Sequence, residues 1–161
     1  MLDSKLLGIY LNDHLAGSTV GLELVKRSRG ANEGTDYGEA LGRVATEIEE
    51  DRQALERLMQ KLQVKRDHLK VASGWAAEKV GRLKPNGQLT GYSPLSRVVE
   101  LEALALGIAG KHALWQALAE VAGEDPRIDA NELARLTERA ERQRDEIWQL
   151  RQRAARDAFT A

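Results

Sequence analysis

The stretch LGRVATEIEEDRQALERLMQKL, Leu41 to Leu62, decides the fold. Leu41, Val44, Ile48, Leu55, Leu58 and Leu62 recur at alternating steps of three and four, the spacing of one apolar face of an α-helix. One slot in that row falls on Asp51, and Glu47 and Glu50 lie a turn away. A long amphipathic helix therefore carries carboxylates at its middle, on or beside the face it must bury. Helical bundles build their metal sites at such places.

The composition agrees with helices throughout. Ala, Leu, Glu and Arg dominate, whereas one Phe, three Tyr and three Trp supply all the aromatic rings. The class expected is all-α, and 161 residues make one domain, 1–161, with enough core to stand without cross-links. The absence of cysteine removes thiol catalysis, zinc fingers and iron–sulfur clusters. With 24 Lys and Arg against 25 Asp and Glu, no global field recruits nucleic acid or an anionic membrane. Met1 to Lys5 lack the basic region of a signal peptide, and charged residues interrupt every apolar run before membrane-spanning length. A cytoplasmic location is the expectation.

Four long helices and one short one follow from the pattern. The first runs from about Ser4 to Arg29, ending near Gly30, with Leu6, Tyr10, Asp13, Gly17, Val20 and Leu24 in one seam and Leu7, Leu11, Leu15, Ser18, Leu22 and Val25 in a second. Asp13 is thus expected to face other helices, and Gly17 and Gly21 to admit a close neighbour. Asp36 with Glu39 has capping-box spacing for the second helix, which continues to about Gln63. A short helix over Asp67 to Leu83 carries Leu69, Ala72, Ala76, Val80 and Leu83 beside Trp75, with a basic cluster that reads as a solvated face. Ser93-Pro94 is an N-cap and first-turn proline, opening a helix to about Ala122 that is apolar around most of its circumference and reads as central. Gly107 and Gly110 suggest a further close contact there. Asp129 and Glu132 cap the last helix, whose seam is Leu133, Leu136, Ala140, Ile147 and Leu150 and which dissolves into the arginine-rich run from Arg151.

The candidate metal ligands are Asp13, Glu47, Glu50, Glu102 and Glu141. Several acids at one depth repel unless cations or protons intervene. A di-iron or di-manganese centre does this with one acid from each of two helices, and an acid plus a second ligand at i, i+3 from each of the others. The i, i+3 pair occurs once here, as Glu47-x-x-Glu50.

At this point the chain resembles a known family. Ile9-Tyr10-Leu11-Asn12-Asp13 resembles the tyrosine-led first-helix motif of the ferritin-like YciE-type bacterial stress proteins, with Asp13 where they have Glu. Glu47-Ile48-Glu49-Glu50-Asp51 through Leu55-Glu56-Arg57-Leu58 resembles their second-helix segment, in which His-x-x-Glu precedes a similar run. Glu102 followed by Gly107, and Glu141 with Asp145, resemble their later acids. The resemblance implies a ferritin-like antiparallel four-helix bundle with an additional short helix between the second and the penultimate long helix. It also implies iron or manganese in metal handling or stress response. Two departures stand out: Asp13 replaces Glu, and Glu47 stands where a His is expected. An all-carboxylate set favours a hard cation, or a site that has lost its metal.

Beside this stands a second reading, a metal-free dimeric helical module whose carboxylates are neutralised by arginines. Asp51 reads as a partly buried acid paired with Arg or Lys, or as a group supporting the ligands. Glu102 is satisfied equally by an arginine partner, and Glu141 sits in a helix charged enough for surface exposure. His14 and His112 read as core-edge side chains. Trp75, Trp115 and Trp148 read as packing anchors, with a tryptophan at a dimer contact as the variant. No phosphate loop, nucleophile elbow or HExxH motif occurs, so hydrolase and nucleotide chemistry have no support. An oxidase or peroxidase would need open coordination positions that spacing does not reveal, and whether the chain is an enzyme stays open.

Overall fold

Each helix begins where a short polar side chain takes up backbone N–H groups that have no partner within the helix. Asp3 Oδ1 accepts from Lys5 N and Leu6 N, both at 3.0 Å, and opens α1, Ser4–Ala31. Thr35, extended at φ −119 and ψ 161, accepts from Gly38 N at 3.3 Å and opens α2, Asp36–Lys61. Ser93 Oγ accepts from Ser96 N at 3.0 Å before α3, Pro94–Glu120. Asp129 Oδ1 accepts from Asn131 N at 2.9 Å and from Glu132 N at 3.2 Å before α4, Ala130–Phe159. A single 3-10 turn, Ala122–Glu124, follows α3. The computed structural model describes residues 2–67 and 92–160, and the described residues are helical with no strand among them. The short helix expected over Asp67 to Leu83 lies, apart from its first residue, outside them.

The cap of α2 differs by one residue from the expected capping box. Thr35 caps and Asp36 falls in the first turn, because Asn32 to Thr35 turn so tightly that a Cβ at Gly38 would collide with the Asn32 carbonyl oxygen. Gly34, at φ +76, supplies the left-handed residue of that turn.

The topology follows from which ends meet. Asn12 on α1 donates through Nδ2 to Lys65 O at 3.0 Å, so the end of α2 lies beside the start of α1. Arg97 Nε donates to Asn32 Oδ1 at 2.6 Å, so the start of α3 lies beside the end of α1. Tyr37 donates through its hydroxyl to Asp157 at 2.9 Å, which brings the end of α4 to the start of α2. Neighbours α1 and α2 are therefore antiparallel, as are α3 and α4, while α2 and α3 point the same way. The backbones approach closely within the pairs α1/α2 and α3/α4, less closely between α1 and α3, and least between α2 and α4. Long polar side chains fill the wide α2/α4 seam, among them Arg43 and Glu146 at 2.8 Å.

The apolar core is divided in two. One cluster gathers Val25, Leu41, Val44, Ile48, Leu101, Leu104, Ile108 and Ile147. The other gathers Leu11, Leu15, Leu55, Met59, Leu114, Trp115, Leu118, Leu136 and Ala140. On three helices the residue between the clusters is polar: Asp51 on α2, Lys111 on α3 and Gln143 on α4.

Four expectations are corrected here. The first-helix row through Asp13 faces outward over its first half, with Leu6, Tyr10 and Asp13 exposed, and is buried only at its end, at Leu24; the second row is buried along the helix, at Leu11, Leu15, Leu22 and Val25. Around Gly17, Gly21, Gly107 and Gly110 no described atom lies within 4 Å of an added Cβ, so these glycines open space where a close contact was expected. Helix α3 is not central, since it buries one side and exposes Leu95, Val99 and Leu106 on the other. The last helix does not dissolve at Arg151 but continues to Phe159, because Ala154 is buried in the first cluster and Arg153 stacks on Tyr37 with 4.2 Å to the ring centroid. No described helix is long and apolar enough to cross a membrane.

The caps separate two otherwise similar substitutions. Thr35→Ala is expected to lower unfolding free energy by about 1 kcal/mol, and Asp36→Ala, which loses only a first-turn charge, by a smaller amount. Urea denaturation of both variants checks this, and the reverse order would restore the cap to Asp36.

Candidate functional site

The polar layer between the two core clusters is the chemically distinctive place in the molecule. Asp51 sits in the apolar row of α2 because the helical period puts it there, and its side chain has no solvent exposure. Such a carboxylate loses several kcal/mol of hydration and must be compensated by cations or donors. Lys111 reaches it from α3, with Nζ 2.5 Å from Asp51 Oδ2. Arg139 reaches it from α4, with Nη2 against Asp51 Oδ1. Gln143, one turn further along α4, donates through Nε2 to Asp51 Oδ2 at 3.3 Å and accepts from the Lys111 ammonium.

The layer extends outward through two further acids. Gln143 Nε2 donates to Glu47 Oε2 at 2.8 Å, and Arg139 Nη1 to Glu50 Oε2 at 2.8 Å. Three carboxylates on α2 thus share two cations and an amide from the opposite helices. Burial pulls the Lys111 ammonium below the ordinary lysine range, and Asp51 opposes that pull. Helix α1 adds no charge at this level: Ser18 and Thr19 turn their hydroxyls back to Leu15 O, at 2.7 and 3.2 Å.

Of the five candidate ligands, the structure brings Glu47 and Glu50 into this one network and leaves the other three apart. Glu102 pairs with Arg151 at 2.8 Å and Glu141 with His112 at 3.1 Å, both half-exposed. Asp13 is exposed on α1. Among the described residues no group of three or more His, Asp or Glu side chains is placed to hold a metal ion.

The better-buried acid of α3 is Glu100, two residues before the one the sequence singled out. It accepts from Ser28 Oγ at 2.5 Å, Tyr92 OH at 2.9 Å and Arg27 Nε at 3.1 Å. Burial pushes the Tyr92 hydroxyl well above its ordinary value. Arg97 stacks on Tyr37 nearby, 4.6 Å from the ring centroid, so this end of the bundle is closed by an aromatic and polar lock.

Beside the polar layer, between α1 and α3, runs a mostly apolar groove of about 460 Å³. Gly17, Gly21, Gly107 and Gly110 line its walls, while Asp51 and Lys111 reach its floor. His14 lines it too, packed edge-on against Tyr10 at 4.6 Å between ring centroids, and burial lowers its imidazole below the usual value against the opposing charge of Asp13. Trp115 is a buried anchor as expected, but Trp148 is exposed beneath the Arg151 guanidinium, 4.9 Å from its ring centroid.

Sequence reading missed Lys111, Arg139 and Gln143 as the partners of Asp51. Lys111 carried a signal, being one of few charges within an apolar helix. Arg139 and Gln143 carried none, since α4 presents such residues on every face. No family model matches the sequence, and neither a curated protein nor a solved structure matches it.

Breaking the layer from one side leaves a charge uncompensated. Lys111→Met is expected to cost roughly 3 kcal/mol of unfolding free energy, whereas Asp51→Leu/Lys111→Met recovers most of that loss, since Arg139 keeps Glu50. Chemical denaturation of both variants checks this, and a double variant worse than the single one would contradict it. For His14 the folded pKa lies below the unfolded one, so the unfolded state binds more protons in that window and stability falls with pH through it. As pH is lowered below about 6.5, the native chain should therefore lose more thermal stability than His14→Gln. Equal losses would remove His14 from the acid limb.

Proposed function

We propose that this chain is a ferritin-like helical bundle that works as a metal-independent structural or interaction module, with a built-in ion-pair layer at the depth where such bundles hold metal. One long connection, between α2 and α3, is the arrangement that sets ferritin-like bundles apart from simple up-and-down ones. The observation that carries the functional reading is Asp51, without solvent exposure and gripped by Lys111 at 2.5 Å and by Arg139. A dimetal centre would bring about four positive charges to its carboxylates. Here two fixed side-chain cations and the Gln143 amide already serve the acids of α2, and Lys111 Nζ stands where an ion would have to bind Asp51.

The competing reading places iron or manganese among Asp13, Glu47, Glu50, Glu102 and Glu141 for metal handling or stress response. It requires Arg139 to leave Glu50, Gln143 to leave Glu47, Arg151 to leave Glu102 and His112 to leave Glu141. Those are four separate rearrangements on two seams of the bundle, α2/α4 and α3/α4, and each must be offset by metal binding.

Metal analysis of protein purified without chelator separates the two. The expectation is sub-stoichiometric iron and manganese, and no change in melting temperature when Fe(II) or Mn(II) is added to the native chain or to Asp13→Ala/Glu102→Ala. Stoichiometric metal, or a rise in melting temperature with added ion that the double variant loses, would overturn the proposal in favour of the metal site.

A further inference from the structure

The outer face of α3 is chemically unlike the rest of the surface. Leu95, Val99, Ala103, Leu106, Gly110, Ala113 and Ala117 fall within about 80° of arc at 100° per residue. Leu106 is 67% exposed, Val99 46% and Leu95 37%. The charges of α3 between Leu95 and Ala117 lie off this arc, and the half-exposed one that borders it, Glu102, is paired with Arg151, in a protein in which 30% of residues are charged. Such an apolar strip, about 33 Å long at 1.5 Å per residue, marks an interaction surface rather than a solvated face.

The order of sizes along the strip identifies the occupant. Its large side chains, Leu95 and Val99, lie before Leu106, and its small ones, Gly110, Ala113 and Ala117, lie after it. Laid antiparallel on a copy of itself about a two-fold axis near Leu106, the strip sets Leu95 against Ala117 and Val99 against Ala113, eleven and seven positions from the centre. At the axis, Ala103, Leu106, Gly107 and Gly110 stand at i, i+3, i+4 and i+7, the four corners of a hole that receives a facing knob. Three of the corners are small, and Leu106 is the knob that fits. Parallel pairing would instead stack Leu95 on Leu95 and leave alanine against alanine.

We infer that the partner of this module is a second copy of the same chain, docked through antiparallel contact of the two α3 helices with Leu106 at the two-fold axis. The inference deepens the interaction reading proposed above and rests on it. A standard interface buries about 800 Å² per partner, which a 33 Å strip reaches at about 25 Å width. That width takes in the flanking helices at their usual 8–10 Å spacing. The flanks are suited to it. Trp148, 44% exposed, lies beneath Arg151, which itself holds Glu102 at the strip's edge. On the other side Leu6 and Tyr10 adjoin Ala117.

The test uses the full chain, whose lack of cysteine makes introduced thiols unambiguous. Sedimentation equilibrium should give twice the chain mass for the native protein and a folded single chain for Leu106→Glu, with circular dichroism reporting the fold. Under mild oxidation Leu106→Cys alone should cross-link to its own copy. Val99→Cys should cross-link when mixed with Ala113→Cys and not with itself. A native chain that is monomeric overturns the inference, as does a Leu106→Glu variant that unfolds while the native chain is monomeric, which would mean the face is covered from within the same chain. Val99→Cys linking to itself would overturn the antiparallel arrangement. None of these outcomes depends on metal content, so failure here and failure of the metal-independent reading are told apart.

Discussion

A carboxylate on the inward row of a long helix, cut off from water, constrains everything packed around it. The charge of Asp51 is tolerable only if cations approach within contact distance. Lys111 and Arg139 bring one to each oxygen, Gln143 donates to Oδ2, and Oδ1 is held by the Arg139 ion pair without a hydrogen bond; all three come from the two helices that do not precede α2 in the chain. The consequence reaches beyond the layer itself. Arg139 and Gln143 must fit between α2 and α4, so those backbones stay further apart than any other neighbouring pair in the bundle. The wide seam then fills with polar side chains along its length, as at Arg43 and Glu146.

Helix α1 takes no charged part in the layer, and this explains the groove. A helix that brings only Ser18, Thr19 and glycines to mid-depth neither repels nor grips the ion pairs, and its glycines leave unfilled the volume that side chains would otherwise occupy. The structural use of these glycines is therefore the opposite of the close approach that small residues often permit. Their cost in helix propensity is offset by the apolar row Leu11, Leu15, Leu22 and Val25 on the far side of the same helix.

The four long helices, their order and most of their boundaries could be read from the sequence because they depend on local signals: the 3.6-residue period, Ser93-Pro94, and Asp129. Asp51 could be read as a partly buried acid for the same reason, since three of its four neighbours at three and four residues, Ile48, Ala54 and Leu55, are apolar. What could not be read was which charges meet. Glu102 looked inward because apolar residues surround it in sequence, yet a rotation of α3 by two positions makes Glu100 the buried acid and leaves Glu102 at the edge with Arg151. On a helix apolar all round, periodicity gives no phase, and the same ambiguity hid the exposed strip. The doubled seam of α1 failed likewise: two apolar rows side by side do not say which faces in, and the row holding Asp13 is the outer one. For α4 the difficulty was excess, because arginines and glutamates on every face conceal the two residues that turn inward.

The position of Lys111 on the most apolar helix also bears on how the bundle finds its register. Helices with continuous apolar faces can slide past one another by a turn at modest cost, since one leucine replaces another in the same hole. A slip of α3 by four residues in one direction would set Gly107 opposite Asp51, and in the other direction Trp115, neither of which can neutralise it. A slip of α4 by one turn in one direction puts Gln143 and Ile147 in the places of Arg139 and Gln143 and takes the guanidinium from Asp51; in the other it puts Arg135 and Arg139 there and keeps a cation within reach. A slip of α3 thus removes the ammonium and one slip of α4 the guanidinium, so the ion-pair layer penalises those shifted packings by leaving the buried carboxylate with one cation instead of two. It need not add net stability over a well-packed apolar layer to do so. Held in that register, α3 presents the same outer residues every time, and a docking surface whose fit depends on Leu106 meeting three small side chains has a fixed place from which to act.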